Sequence, residues 1–333
     1  MKNLIFILIF LSFSFTALCQ GGVNFEQLTF DEALSKAKAE NKLVFMDCYT
    51  TWCAPCKYMA DNVFPREEAG EFFNPKFVSV KFDMENGEGK ELAQKFGVRA
   101  YPTFLIIRPD GSVQHRIVGG VNLDKFIEIA ERGLNVKTSF DYLDRLHEKG
   151  KMNKKQLISY QIALNDAYEE EKSNKVAQEL KSILKEKDKM QKEYWPILEK
   201  ESFGSDGFKL VLNNLSTFRK NVGKEKIDNY LFENYFSTIG ESLNADAKPH
   251  GETLKQIKSE LENLDIDGKD VLLSTIELNQ ACLMSDINKI ISIAEKINTN
   301  ENGELWSAME ALGFIKNKAS KDDLKRILRL EEQ

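Results

Sequence analysis

The sequence predicts a chain in two parts: an α/β domain with a central mixed sheet flanked by helices, then an all-α region. Three observations predict it. Helix and strand signals alternate between residues 25 and 136, the pattern of helices layered on a sheet. From about Ser139 the strand signals vanish. Between Pro109 and Pro196 there is no proline, and helix-period apolar stripes follow one another.

In the first part, Phe30 to Glu40 reads as an amphipathic helix stopped by Asn41. Leu43-Val-Phe-Met46 is a continuous apolar run, as expected of a central strand covered on both faces. A helical pattern follows Cys53 and ends near Phe64-Pro65. Phe77 to Met84 alternates, with Val78, Val80, Phe82 and Met84 on one side. Gly89 to Phe96 is helical, and Gly97 is a natural cap. Thr103 to Ile107 is a further buried strand. Arg108-Pro-Asp-Gly111 suits a type I turn, so Val113 to Val118 returns antiparallel. Asn122 to Leu134 closes the domain as a helix. The resulting order, α-β-α-β-α-β-β-α, reads as two parallel crossovers followed by a hairpin.

The second part carries apolar stripes such as Leu157, Tyr160, Leu164 and Tyr168, then Ile227, Leu231, Tyr235 and Ile239. They call for roughly eight or nine helices. The aromatic cluster Tyr230 to Phe236 reads as helix core, with a docking surface as the lesser alternative, and the Lys-Glu-rich interval from Lys185 to Glu193 as a solvated face. Ahead of both parts, Leu4 to Leu18 is mostly apolar behind Lys2, the texture of a secretory leader rather than a bilayer span. The divisions expected are a leader at 1–19, an α/β domain at 20–137 and a helical domain of unknown role at 138–333. The expected location is the periplasm, the product being soluble after cleavage following Cys19, with lipid attachment at Cys19 as the lesser alternative.

Formal net charge is −6 and there is no basic tract, so nucleic acid is a poor partner. Five cysteines are too few for a disulfide scaffold, although export lets a disulfide persist. Two of them stand three apart in Trp52-Cys-Ala-Pro-Cys-Lys57. Such a pair could hold a metal, staple a loop or cycle between thiol and disulfide. A structural zinc site needs four ligands, but there is no second Cys-x-x-Cys and His115, His147 and His250 are scattered. A staple across so short a loop removes little chain entropy. A strand feeds into the motif and a helix follows, which puts Cys53 at a helix start, where free amides favour a thiolate. Pro55 fits the first turn, where its missing N–H costs nothing. Asp47 ends an otherwise apolar strand six residues before Cys53. Cys48 alternates away from Asp47 and reads as a buried free thiol, Cys282 as a small core residue, and His115 as an exposed strand residue.

Asp47, the Trp52–Lys57 motif, Tyr101-Pro-Thr103 leading into Phe104–Ile107, and Gly119-Gly120 together resemble the thioredoxin superfamily over residues 25 to 136. Within it the stretch looks most like the periplasmic thioredoxin-like domain of thiol:disulfide interchange proteins. The resemblance implies a thioredoxin fold and a protein-disulfide reductase. Cys53 would be the exposed nucleophile and Cys56 the resolving thiol, with Asp47 exchanging a proton with it. Pro102 would be a cis proline opposite the cysteines, freeing the backbone of Tyr101 to align a substrate strand. Trp52, Tyr101 and Thr103 would bind substrate, and Ala54, Pro55 and Lys57 would tune the pair. The only redox group implied is the Cys53–Cys56 disulfide, with no added cofactor and no metal.

The residues between the cysteines set the direction. An oxidant of this type usually has a histidine before the second cysteine, whereas Ala54-Pro55 is close to the Gly-Pro of reducing thioredoxins. Because 30 mV corresponds to ~1.4 kcal/mol, small changes matter here. The expected activity is reduction of disulfides in exported clients, with a membrane electron donor recharging the pair. The alternative is a helical partner-binding protein carrying an attached sensor or holdase domain.

Overall fold

A computed structural model of the chain describes residues 21–241, 250–296, 313 and 319–331. The leader at 1–19, including Cys19, lies outside the described residues. The chain divides into two compact units, one ending at Ile183 and one starting at Leu184. The texture change near residue 138 therefore falls inside the first unit.

In the first unit, α1 (Phe30–Glu40) begins at a Thr29–Glu32 capping box and ends at Asn41, whose φ of 52° makes the left-handed stop. β1 (Leu43–Tyr49) leads to the cysteine loop and α2 (Ala54–Tyr58). One widened turn, Met59–Val63, extends α2, with the Phe64 N–H bonding back to the Met59 carbonyl at 2.9 Å. A helix that sequence reading missed, α3 (Glu67–Phe73), precedes β2 (Phe77–Asp83). α4 (Gly89–Phe96), β3 (Thr103–Ile107), β4 (Val113–Val118) and α5 (Leu123–Leu134) complete the α/β part.

The sheet order is β2-β1-β3-β4. β1 pairs parallel with β2, but β3 runs antiparallel to β1, with Met46 opposite Leu105. Only the first crossover is therefore parallel, which corrects the expected pair. Strand direction depends on which edge the chain returns to, and periodicity carries no record of that.

The period-2 alternation of the strands splits the core in two. Val44, Met46, Cys48, Leu105 and Ile107 face α1 and α4. Phe45, Phe104 and Ile106 face α2, α3 and α5. Phe45 is ringed by Phe25, Phe64, Phe73, Phe77, Phe104 and Phe126, all at centroid distances of 4.7–6.2 Å. Side chains this large each contribute roughly 1.5–3 kcal/mol on burial. They make a stiff platform under the cysteine loop.

Three helices continue the first unit: α6 (Phe140–Glu148), α7 (Lys154–Asp166) and α8 (Glu170–Ile183). α6 packs against β4 through one polar contact that sequence reading had placed in solvent. His115 on β4 is fully buried, and its Nδ1 accepts the Phe140 N–H at 3.1 Å. Ser139, the residue before the helix, makes no side-chain cap. The imidazole supplies it instead. Burial holds His115 neutral, its pKa lowered to about 4.

Alternation alone left the exposure of His115 open, because an edge strand has one free face only until a helix covers it. α5 approaches the same ring at a residue without a side chain. A Cβ on Gly133 in α5 would meet His115 Cδ2 and Ile106 Cδ1 at 2.7 Å. Gly133→Ala is expected to lower stability by about 1–3 kcal/mol through overpacking, despite the gain in helix propensity. The test is a thermal or denaturant melt, and an unchanged or raised midpoint would contradict it.

In the second unit, the helices Asp206–Asn213, Leu215–Val222, Lys224–Glu241, His250–Glu262 and Lys269–Leu283 carry the expected apolar stripes. Phe208, Val211, Phe218, Ile227, Leu231, Tyr235, Leu254, Ile257 and Leu272 form one core. Tyr230 and Tyr235 lie in it, while Phe232 and Phe236 stack at its margin, 5.6 Å apart. Buried Asp228 is compensated by Arg219 and Lys224, both at 2.7 Å. The described residues hold more helical segments than the roughly eight or nine expected from stripes. Pieces as short as Glu186–Lys189 and Trp195–Leu198 leave no period to detect. No described helix is long and apolar enough to cross a membrane.

Candidate functional site

β1 points Phe45, Asp47 and Tyr49 toward the α2 face, and Cys48 toward the other, where it is a buried free cysteine. Beyond β1 the chain turns through Thr50–Trp52, closed by the Cys53 N–H on the Thr50 carbonyl at 3.3 Å. Cys53 then caps α2. Its sulfur accepts the Cys56 N–H at 3.1 Å, with Pro55 in the first turn. Cys53 and Cys56 form a disulfide, with Cα atoms 5.2 Å apart.

The disulfide lines a pocket of ≈ 220 Å³ together with Asp47, Thr50, Thr51, Lys57 and Lys81. Asp47 is buried and its Oδ1 has no hydrogen-bond partner among the described residues. Burial pushes its carboxyl up to about 7, against the weaker pull of the Lys81 ammonium. Lys81 stands opposite Asp47 in the β1–β2 register. A carboxyl poised near neutrality in the same pocket as a sulfur pair can give or take a proton there.

Cys53 was expected to be exposed. It is only 4 % exposed and Cys56 7 %, so a partner reaches the sulfurs through this pocket. The reason is local: the cap geometry turns the Cys53 sulfur inward, onto the Cys56 amide. What does stand out is Trp52, 67 % exposed, its Nε1–H on a Glu85 carboxylate oxygen at 3.0 Å and its ring edge-on to Tyr101 at 6.0 Å. Ala54, Pro55 and Lys57 are exposed along the helix start.

The Tyr101–Pro102 peptide bond is cis. The register pairs Cys48 with Thr103, which puts Pro102 beside the end of β1 where the cysteine loop departs. The Pro102 carbonyl accepts the Gly119 N–H at 2.9 Å. Thr103 does not reach the cysteine pocket: it is buried, and its hydroxyl donates to the Ala100 carbonyl at 2.7 Å. Asp47, Cys53, Cys56 and Lys57 are thus brought together. Trp52 and Tyr101 form a neighbouring wall, and Thr103 closes the loop from behind. Sequence reading missed Thr50 and Lys81. Lys81 could have been found only through strand register, which fixes it opposite Asp47.

A family model described as the thioredoxin-like domain matches residues 30–134. A thioredoxin H-type of Oryza sativa subsp. indica is 42 % identical over 90 residues, covering 27 % of this chain and 68 % of that protein. Thiol:disulfide interchange protein DsbD of Pseudomonas fluorescens is 32 % identical over 99 residues, 29 % of this chain and 17 % of that protein's length. Among solved structures, the oxidised C-terminal domain of Neisseria meningitidis DsbD is 28 % identical, covering 31 % of this chain and 90 % of that one, with a TM-score of 0.28.

Proposed function

The chain belongs to the thioredoxin superfamily through residues 30–134 and carries the site of a thiol–disulfide oxidoreductase, and from that premise we propose that it reduces disulfides in exported client proteins. The observation that carries this reading is the Cys53–Cys56 disulfide at the start of α2, in one pocket with the buried carboxyl of Asp47.

In the reduced protein, the Cys53 thiolate attacks one sulfur of a client disulfide. A Cys53–client bond forms, and the other client sulfur leaves as a thiolate that takes a proton. The Cys56 thiol then gives its proton to Asp47, and the new thiolate attacks Cys53. This restores the Cys53–Cys56 disulfide and releases the second client sulfur. Two electrons pass to the client. A membrane dithiol donor recharges the pair in the reverse sense, by attack on Cys53. The amides at the start of α2 favour the Cys53 thiolate, and Ala54-Pro55 between the cysteines supports the reducing direction. Export rests on the apolar leader read at 1–19 and on the likeness to an interchange protein.

Cys56→Ser removes the resolving thiol, so Cys53–client adducts are expected to accumulate in the envelope. They would be recovered as bands that collapse on reduction. Absence of such adducts from cells expressing the variant would count against client reduction.

A further inference from the structure

A second pocket, of ≈ 500 Å³, borders the Tyr101–Pro102 loop. Its near rim is Ala100 and Thr103, the residues that flank Tyr101-Pro102. Arg99 and Arg116 supply its charge, and Tyr168 and Glu169 its far wall. That wall lies beyond residue 134, where the family match ends. It belongs to the helical extension within the first unit.

The two arginines differ. Arg116 is half-buried and held on the end of α4, its Nη2 on the Phe96 carbonyl at 2.5 Å and its Nη1 on the Gly97 carbonyl at 3.4 Å. The Glu169 carboxylate in the same lining opposes its charge. Arg99 is exposed and has no ion-pair partner among the described residues. Two guanidiniums against one carboxylate leave the pocket one positive charge in excess.

The far wall is built against local preference. Sequence periodicity puts Tyr168 on the buried face of α7, but it sits in the α7–α8 turn with φ at 56° and is 65 % exposed. A bulky residue in the left-handed region is sterically disfavoured, its Cβ crowding the following carbonyl oxygen. The turn is nevertheless held by the Glu169 N–H on the Leu164 carbonyl at 2.9 Å. An aromatic ring and an unpaired guanidinium thus line the same concavity, one loop away from the sulfurs.

We propose that this pocket is a subsite for an acidic side chain of the client polypeptide, so that the α7–α8 turn and Arg99 select which disulfides Cys53 attacks. The proposal rests on the reductase reading. A client strand lying along the Tyr101–Pro102 loop advances ~3.3 Å per residue, so an acidic residue about two to five positions from the client cysteine reaches the pocket. The guanidinium fork of Arg99 then takes the carboxylate in a charge-assisted pair, with Tyr168 shielding it from water.

The test uses the full chain, recharged with dithiothreitol, and disulfide peptides carrying a single Glu at each of those positions, against the same peptides with Gln. Wild-type protein is expected to reduce one Glu peptide about tenfold faster in kcat/KM than its Gln twin. Arg99→Glu is expected to erase that preference by slowing the Glu peptide alone, and Glu169→Gln to widen it. Equal rates on all Glu and Gln pairs, or an Arg99→Glu variant that slows both twins alike, overturns the subsite and leaves the reductase standing. Failure to reduce any peptide sinks both.

Discussion

Cys53→Ser is expected to remove disulfide reduction altogether, leaving a rate at least about 10³-fold below that of the wild-type protein. The cause is positional. The other described cysteines do not share the Cys53 position. Cys56 is the other half of the disulfide, and Cys48 and Cys282 are buried in hydrophobic cores. Burial and the nearby Asp47 charge also push the Cys48 thiol well above its ordinary range, so it supplies no thiolate. Reduction of a model disulfide, followed by thiol release, checks the loss. Turnover within tenfold of wild type would refute the assignment of Cys53 as nucleophile. The same variant separates the reductase from a partner-binding role for the helices. Partner capture that survives Cys53→Ser, with no thiol phenotype in cells, would favour the latter.

Asp47→Asn is expected to stabilise the protein above pH 8 while slowing the release of client. In the folded chain the Asp47 carboxyl titrates at about 7, and in the unfolded chain near 3.9. Between those values the folded state holds a proton that the unfolded state has lost. Stability therefore falls as pH rises from about 4 to 7, and the whole penalty is present once the buried carboxylate has ionised. Three units correspond to about 4 kcal/mol at pH 8 and above, which the amide abolishes.

His115 acts in the opposite sense. Its folded pKa of about 4 lies below the ordinary 6.5, so the unfolded chain takes up a proton first. Its neutral form supports folding fully above pH 6.5. That support drains away by about 3 kcal/mol as pH falls to 4. The two contributions nearly cancel in the wild-type protein. Asp47→Asn keeps the His115 loss but not the Asp47 gain, so its advantage over wild type is expected to be full above pH 7 and to shrink steadily toward pH 4. Denaturant melts at paired pH values check it, and a pH-independent difference would contradict the buried carboxyl. The resolving step should slow about a hundredfold at pH 7 and lose its inflection there, since the amide takes no proton from Cys56.

Much of this was readable from residues alone, and the remainder has a common physical origin. Asp47, the cysteine pair and the helix after them are legible because capping chemistry and alternation act over a few residues. The packing of Tyr230 and Tyr235 follows equally from a 3.6-residue period. What escaped the sequence depends on contacts between distant segments. His115 is buried because α6 arrives some 25 residues later to donate an amide to it. β3 lies antiparallel on the other edge of β1 because of the path taken by the chain that connects it, which no local pattern records. Tyr168 leaves its stripe because the chain turns between α7 and α8 with a left-handed residue. Arg99 and Arg116 share a concavity only because strand pairing and the α4 end bring residues 17 apart together. Glu67–Phe73 is hard to read because it is short and its stripe is broken by three glutamates and a glycine.

The capping of α6 by an imidazole on β4 bears on where this protein can be cut. An excised fragment ending at residue 137 would uncover that ring and the flank of the sheet beneath it, trading a satisfied acceptor for a wet, chargeable one. The compact unit that holds the redox site therefore closes at Ile183, some fifty residues past the end of the family match.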